Sequence, residues 1–407
     1  MLIESDLKMP PSPPRCCCSA SPRPPPRRFR PAARKLIYVA SSRSSSSSSS
    51  TSSRSARSLP VSPTAPASAA RPISYAFESL RPADKRLSTS TSASRLSTSS
   101  SRTMSNFWAD VVNTTAFSYL KLSIAASTSV AALLSTALYF KQNDLIYPRH
   151  FPPEARTELF TPDKFHMQNW DTVDLQTPDG ETLRSYFLRG SGIQRKGVTV
   201  LLLHGNAGNV GYRIPIGKVF AEQMGCNVFM LGYRGYGLST GKPDEKGLKV
   251  DAETALDWIF KNDETKDTRV VIYGQSLGGA IGIQMAARHQ DRLSGLMLEN
   301  TFTSMRAVIP NVFPPAKYIT RLCHQVWPSE ETIPKVESIP ILFLSGLRDE
   351  LVPPEHMKRL HQVAGSSTKV WRELPDGSHN DSVMEPGYFE YINDFVNDEV
   401  MRTKKAQ

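Results

Sequence analysis

The stretch GQSLG, residues 274–278, places Ser276 between two glycines, each two positions away. In the pattern G-x-S-x-G a strand runs into a sharp turn and a helix follows, so the serine hydroxyl is presented at the edge of a sheet. The glycines allow the backbone to approach where side chains would clash. The alternative is a structural turn whose serine caps its helix. Because a serine alone is a poor nucleophile, the pattern predicts Ser276 as a nucleophile only if a base and an acid accompany it.

A candidate acid and a candidate base both follow Ser276 along the chain. Asp349 comes after the apolar run IPILFLSG, and His379 comes after the run KVWREL. The order serine, acid, histidine is the one that accompanies a G-x-S-x-G turn. His379 would accept the Ser276 proton on one ring nitrogen, and Asp349 would hold the other ring N–H. We expect four competing carboxylates to be solvated loop residues: Glu299, Glu350, Asp376 and Asp381.

Acyl chemistry also needs donors for a developing oxyanion. The run VTVLLLHGNAGN ends in a loop that contains Asn206. We predict that the backbone N–H groups of Asn206 and Leu277 form the oxyanion hole, helped by the positive end of the helix after the serine. Gly205 and Gly208 would shape the loop. His204 lies in the same loop, and we expect it to orient the loop rather than act as the base.

The elements that must position these residues alternate between strands and helices. Six short apolar runs are typical of buried strands: VTVLLLHG, NVFMLGY, RVVIYGQS, LSGLMLEN, IPILFLSG and KVWREL. Helices are predicted between them over Tyr212–Met224, Gly247–Lys261, Leu277–His289 and Pro354–Val363. Upstream, the turn at Asp179-Gly180 predicts a hairpin. This alternation predicts an α/β fold with a mostly parallel, doubly wound sheet, whose ligands bind beyond the carboxyl ends of the strands.

A longer connection, residues 302–338, separates the runs LSGLMLEN and IPILFLSG. We predict that it forms a small helical lid over the site. Its apolar side chains would either receive an acyl chain or simply pack the lid onto the domain. They are Phe302, Met305, Ile309, Phe313, Tyr318, Ile319, Leu322 and Trp327.

The N-terminal residues 1–105 are rich in Ser, Pro and Arg, and we expect a disordered tail. It is a targeting or regulatory segment, or inert disorder, or an extension of the gene model, in which case Met104 is the natural start. The tail holds 17 Lys or Arg against 4 Asp or Glu, whereas the whole chain has a net charge of +11. The remainder is therefore nearly neutral, and we expect no nucleic-acid partner.

The uncharged run LSIAASTSVAALLSTALYF, residues 122–140, is long enough to span about 28 Å as a helix, close to the bilayer's hydrocarbon thickness. We expect one transmembrane helix in an anchor segment, residues 106–143, followed by a catalytic domain, residues 144–407. A removed signal peptide or a packed helix is the alternative. We predict a single-pass membrane protein that lies in the endoplasmic reticulum, another endomembrane or the plasma membrane. The flanking charges are almost balanced, so the orientation depends on the tail.

The cysteines indicate neither a disulfide framework nor a metal site. Three form the run Cys16 to Cys18 in the tail, and only Cys226 and Cys323 fall in the folded region. Nothing has zinc-ligand spacing, so we expect no metal and no cofactor. Cys226, at a predicted strand start, is expected to be a buried thiol.

Five stretches together resemble a known family: HGNAGN-VGYR, GYRGYGLSTG, YGQSLGGA, ENTFTS and SGLRDELVPP. They resemble the membrane-associated Bem/WAV-type α/β-hydrolases, which are similar to the mammalian α/β-hydrolase domain-containing protein thirteen. The resemblance covers about residues 115–400. It implies an α/β-hydrolase fold, an N-terminal membrane helix and a triad of Ser276, His379 and Asp349. Some relatives are regarded as palmitoyl-protein thioesterase-like, and the long Ser/Arg tail departs from the family pattern.

We therefore expect a membrane-anchored serine hydrolase that cleaves lipid-like or palmitoyl-type acyl esters or thioesters through an acyl-enzyme. The alternative is a catalytically idle copy of the fold that serves as a scaffold in membrane signalling or cell polarity. The intact set of Ser276, Asp349 and His379 favours the enzyme, because an idle copy is free to lose it.

Overall fold

The computed structural model describes residues 104–191 and 197–402. Most of the tail predicted to be disordered, residues 1–103, lies outside these residues. The described residues belong to two units. Those up to Leu134 belong to one, and those from Ser135 onward belong to the other.

Two helices open the described part of the chain. Helix α1 spans Met104–Val112, and α2 spans Thr115–Ile146, which is longer than the predicted run 122–140. The most apolar stretch of α2 has a mean hydropathy of 1.5 and is not buried. By length and composition α2 is therefore a candidate membrane span. Its last turns, from Ser135, belong to the second unit together with the sheet.

The second unit is built on a twisted eight-stranded sheet in the order β1-β2-β4-β3-β5-β6-β7-β8. Strands β1 and β2 form the predicted antiparallel hairpin, β2 also pairs antiparallel with β4, and all other neighbours are parallel. The strands are Trp170–Gln176, Thr182–Leu188, Val198–Leu203, Asn227–Leu231, Arg269–Gln275, Gly295–Glu299, Ile341–Gly346 and Lys369–Leu374. The mostly parallel sheet predicted from the sequence is confirmed.

Helices cover both faces of this sheet. They are α3 (Ile214–Lys218), α4 (Glu245–Lys261), α5 (Leu277–His289), α6 (Met305–Val312), α7 (Ser329–Thr332), α8 (Pro354–Val363) and α9 (Tyr388–Phe395). Helices α4, α5 and α8 bury apolar side chains in one core, and α3 and α9 do so in a second core. The bounds predicted for α5 and α8 match the structure. The predicted helix Tyr212–Met224 is instead a 3₁₀ turn, α3 and a π turn in succession.

Between β6 and β7 lies the cap segment, residues 302–338. It contains α6, the 3₁₀ turns Pro314–Tyr318 and Thr320–Leu322, and α7. The hydroxyl of Ser304 starts α6 by accepting a hydrogen bond from the Ala307 N–H. Cys226 and Cys323 are buried, and Cys226 lies directly before β4 as expected.

Candidate active site

Ser276 lies on a strained turn between β5 and α5. Its φ of +51° is a backbone conformation that residues other than glycine rarely adopt. A Cβ on Gly274 would lie 2.4 Å from the Gly278 carbonyl oxygen, and a Cβ on Gly278 would lie 2.0 Å from the Leu203 carbonyl oxygen. Only glycine fits at either position. The Ser276 hydroxyl makes no capping hydrogen bond to α5, so the helix-cap alternative does not describe this serine.

The three predicted residues meet at the carboxyl edge of the sheet. His379 Nε2 lies 3.0 Å from Ser276 Oγ, and His379 Nδ1 lies 2.7 Å from Asp349 Oδ2. An ionised carboxylate only accepts hydrogen bonds, so Nδ1 carries the proton and Nε2 is left to accept from the serine hydroxyl. The other Asp349 oxygen accepts from the N–H groups of Leu351 and Val352 at 2.9 and 2.8 Å. The carboxylate is thereby fixed to the loop that follows β7.

Three of the four competing carboxylates lie where they were expected. Glu350, Asp376 and Asp381 are exposed in loops. The expectation for Glu299 was wrong, because this residue is completely buried at the end of β6. It accepts hydrogen bonds from the hydroxyls of Tyr273 and Tyr388 and from Gln275 Nε2. Burial raises the pKa of Glu299. The three donors offset the free-energy penalty that a buried carboxyl without hydrogen bonds would carry.

Asn300 connects the loops that carry the acid and the base, a role that sequence reasoning missed. Its backbone has a φ of +46°. Its side-chain amide donates to the Ser378 carbonyl at 3.1 Å and to Ser382 Oγ at 2.9 Å, while its Oδ1 accepts from the Gly346 N–H at 2.8 Å. It thus joins the end of β7 to the loop of His379. The sequence signal was the stretch ENTFTS, which was noted without a role for this residue.

The loop after β3, predicted to be the oxyanion loop, brings Asn206 to the cavity that Ser276 lines, and Leu277 lines the same cavity from the start of α5. No partner for the backbone N–H of Asn206 or Leu277 lies among the residues that the structure describes. The Asn206 side chain is held on both sides. Its amide donates to the Ile146 carbonyl at the end of α2, and its Oδ1 accepts from the Tyr236 hydroxyl at 2.9 Å. The loop is therefore fixed by residues that are distant in the sequence.

His204 lies beneath this loop and is almost completely buried. Its ring packs on Tyr233 with the centroids 4.1 Å apart, and Nδ1 donates to the Gly205 carbonyl at 2.7 Å. Burial lowers the pKa of His204 to about 3. The side chain is therefore neutral at physiological pH, and it is not among the residues that line the cavity with Ser276. This position agrees with a structural role for His204 and not with that of the base.

A cavity of about 690 Å³ opens onto Ser276 and His379. Six of the apolar residues named for the lid line it: Phe302, Met305, Ile309, Phe313, Ile319 and Leu322. Tyr318 is exposed, and Trp327 is buried elsewhere, where its Nε1 donates to the Tyr147 hydroxyl at 3.0 Å.

The end of α2 forms another wall of this cavity, which sequence reasoning did not foresee. Leu138, Tyr139, Gln142, Leu145 and Ile146 line it. Gln142 also bonds to the cap segment, donating to the Leu322 carbonyl at 3.3 Å and accepting from the His324 N–H at 2.8 Å. The run that predicted the helix stops at residue 140, so its last turn carried no signal of this role.

Comparison with known proteins identifies the family to which this chain belongs. A family model described as alpha/beta hydrolase fold matches residues 198–317. The fission yeast (Schizosaccharomyces pombe) protein Bem46 is 43% identical over 281 residues, which cover 69% of this chain and 94% of Bem46. This chain belongs to the Bem46 family of α/β-hydrolases.

Other members of the Bem46 family match over similar lengths. The uncharacterized membrane protein YNL320W of Saccharomyces cerevisiae is 40% identical, covering 68% of this chain and 96% of its own. The α/β-hydrolase domain-containing protein WAV2 of Arabidopsis thaliana is 33% identical, covering 60% and 83%. The resemblance to Bem/WAV-type hydrolases predicted from the sequence is confirmed.

Solved structures show the same fold at greater distance. An α/β-hydrolase from Vibrio vulnificus superposes with a TM-score of 0.52 at 22% identity, covering 63% of this chain and 91% of its own. The esterase Pf2001 of Pyrococcus furiosus does so with a TM-score of 0.50 at 16% identity, covering 60% and 98%. Identities this low support the fold alone.

Proposed function

We propose that this protein is a membrane-anchored serine hydrolase that cleaves acyl esters or thioesters. One observation carries the proposal: Ser276, His379 and Asp349 form an unbroken chain of hydrogen bonds of 3.0 and 2.7 Å. Two N–H groups without partners among the described residues, those of Asn206 and Leu277, belong to residues that line the same cavity as the serine. A nucleophile, its base and donors for an oxyanion together are what acyl transfer requires.

The acylation step follows from this geometry. His379 Nε2 takes the proton of the Ser276 hydroxyl as Oγ attacks the acyl carbonyl carbon, and the negative charge moves to the carbonyl oxygen. The N–H groups of Asn206 and Leu277 bind that oxygen. Asp349 stabilises the imidazolium through Nδ1. His379 then gives the proton to the departing alcohol or thiol, and the acyl group remains on Ser276.

Deacylation uses the same residues with water as the nucleophile. His379 Nε2 takes a proton from water while the oxygen attacks the acyl-enzyme carbonyl. The Ser276 alkoxide leaves and recovers the proton, which releases the free acid. Apart from these residues, both steps use only the substrate and water.

The cavity and the first helices favour a lipid-like substrate at a membrane. The cavity lining beyond the catalytic edge is mostly apolar and suits an acyl chain. Helix α2 is long and apolar enough to anchor the chain, and the relative YNL320W is described as a membrane protein. We propose an anchor at 106–143, a catalytic domain at 144–407 and a lid at 302–338, in an endomembrane or the plasma membrane.

The test is covalent labelling of the detergent-purified chain by a fluorophosphonate probe, which reacts with activated serines. We expect the wild type and the exposed control Ser338→Ala to be labelled and Ser276→Ala to be unlabelled. Labelling that persists in Ser276→Ala would exclude this serine as the nucleophile. A wild type that neither reacts with the probe nor hydrolyses a panel of acyl esters and thioesters would favour the idle scaffold instead.

A further inference from the structure

Arg213 is a cation in the cavity wall, and no residue in the described part of the chain pairs with its guanidinium. It ends the 3₁₀ turn Val210–Arg213 that follows the oxyanion loop, and it lines the same cavity as Ser276 and His379. Its Nε is buried without a hydrogen bond, and no described residue provides a hydrogen bond or a carboxylate at ion-pair distance. Burial lowers the pKa of the Arg213 guanidinium, as expected for a cation whose lost hydration nothing replaces.

Two other arginines, Arg234 and Arg156, differ from Arg213 because their guanidinium groups have protein partners. Arg234 is buried at the same edge of the sheet, and its guanidinium is paired with Asp179 at 2.7 Å and with Asp251 at 2.8 Å. Arg156 donates to three backbone carbonyls. Burying a charge without such partners is strongly unfavourable, so an arginine at a cavity that no described residue pairs points to a partner that arrives from outside.

The Arg213 guanidinium lies close to Gly205 in the oxyanion loop, in the lining of the cavity that Ser276 and His379 also line. A Cβ on Gly205 would lie 3.7 Å from Arg213 Nη2 and 3.5 Å from Gln275 Oε1. Gly205 precedes Asn206, so the guanidinium lies beside the loop that carries one of the two proposed oxyanion donors. Among the described residues Glu299 is the carboxyl that acts on Arg213 through space. It is already occupied by three donors, and its own pKa is raised by burial.

We propose that Arg213 binds an anionic oxygen group of the substrate, so that the preferred substrates are acyl esters or thioesters bearing a carboxylate or a phosphate near the scissile carbonyl. A guanidinium offers a planar set of donors that matches either anion with two parallel hydrogen bonds. This proposal rests on the proposed serine hydrolase activity and narrows its substrate class. The anion could belong to the acyl part or to the leaving group.

The first test measures kcat/KM for three chromogenic esters. They are neutral 4-nitrophenyl butyrate, the mono-4-nitrophenyl ester of glutaric acid with its carboxylate on the acyl side, and 3-carboxy-4-nitrophenyl butyrate with its carboxylate on the leaving group. In Arg213→Gln, the ratio of an anionic ester to the neutral one should fall about 10- to 100-fold relative to the wild type, chiefly through KM. Arg213→Lys should keep part of the ratio, and the exposed control Arg402→Gln should keep all of it. The ester that responds identifies the side on which the anion sits.

The second test needs neither turnover nor an Arg213 variant. In the Ser276→Ala chain, hexyl phosphate, hexanoate and hexanol are compared for the rise they cause in the thermal unfolding temperature. Both anions should stabilise at lower concentrations than hexanol does, and the stronger anion distinguishes phosphate from carboxylate.

The outcomes separate the two proposals. If Arg213→Gln lowers kcat/KM for all three esters equally, or if the anions stabilise no better than hexanol, Arg213 holds the loop and the anion proposal is overturned. If the wild type is labelled and active but does not prefer anionic esters, the proposed serine hydrolase activity is retained and only the anion proposal is rejected. If the wild type is never labelled, the proposed hydrolase activity itself is rejected.

Discussion

The carboxyl edge of the sheet and the cap segment line the same cavity but are built in opposite ways. At the sheet edge, polar side chains such as Asp349 and Asn300 are fixed by hydrogen bonds to neighbouring loops. The cap segment is made of short helices and 3₁₀ turns, and it leaves large apolar side chains in solvent. Val312 and Phe313 are each 60% exposed, and Tyr318 is 82% exposed.

This difference separates the chemistry from the choice of substrate. The proposed catalytic residues Ser276, Asp349 and His379 follow the parallel strands β5, β7 and β8, and the regular geometry of the sheet sets the distances between them. The cap segment contributes apolar surface and shape, which tolerate change better than hydrogen-bond geometry does. We therefore expect substitutions of Ser276, Asp349 or His379 to alter rate, and substitutions in the cap segment to alter the preference for acyl-chain length.

The largest effect should come from Asp349→Asn at the sheet edge. The amide would turn the His379 ring to the wrong tautomer, so kcat should fall on the order of 10⁴-fold. Glu350→Gln is the matched control. Glu350 is exposed, and its only contact with His379 is a long hydrogen bond, 3.5 Å, that its carboxylate accepts from the His379 backbone N–H. Steady-state hydrolysis of an activated ester measures both, and equal losses in the two variants would contradict the assignment of Asp349.

A smaller effect, on selectivity, is expected from Val308→Trp in the cap segment. Val308 lies on α6 and lines the cavity, so a larger ring would shorten the space for an acyl chain. The kcat/KM ratio of an octanoyl to a butyryl ester should fall about 10-fold or more. Tyr318→Phe, outside the cavity, is the control. An unchanged chain-length preference in Val308→Trp would show that the acyl chain lies elsewhere.

The smallest effect concerns stability and His204 beneath the sheet edge. Its pKa of about 3 lies below that of an unfolded histidine, about 6.5, because of burial. As the pH falls, the unfolded chain therefore binds a proton at His204 before the folded chain does. The contribution of neutral His204 to the free energy of unfolding is fully present above pH 6.5 and is lost as the pH falls toward 3. In His204→Phe this loss should be less steep by up to about 1.4 kcal/mol per pH unit, measured by denaturant unfolding between pH 4 and 6.5. Equal slopes in the two proteins, with exposed His150→Gln as the control, would contradict this.

The sequence predicts the sheet and the triad well because both follow from local pattern. Apolar runs mark the strands, and the position just after each run marks the edge where Ser276, Asp349 and His379 meet. That reasoning needs no knowledge of which strands are neighbours, since every parallel strand ends at the same edge.

The supporting residues could not be found in this way, because their roles depend on contacts between distant parts of the chain. Glu299 reads as a loop carboxylate until Tyr388, 89 residues away, is placed against it. Asn300 meets Ser378 across 78 residues, and Asn206 meets Ile146 across 60. Arg213 is conspicuous only once its neighbours are known to leave it unpaired.

The bond between the Asn206 amide and the Ile146 carbonyl has a practical consequence for protein preparation. Removing an N-terminal helix is the usual route to a soluble form of an anchored hydrolase. A chain that begins at residue 147 would lack Ile146, which supports the oxyanion loop, and Gln142, which is hydrogen-bonded to the cap segment. Such a protein would fold around its sheet yet give misleadingly low activity, whereas a chain cut at Ser135 would keep both contacts.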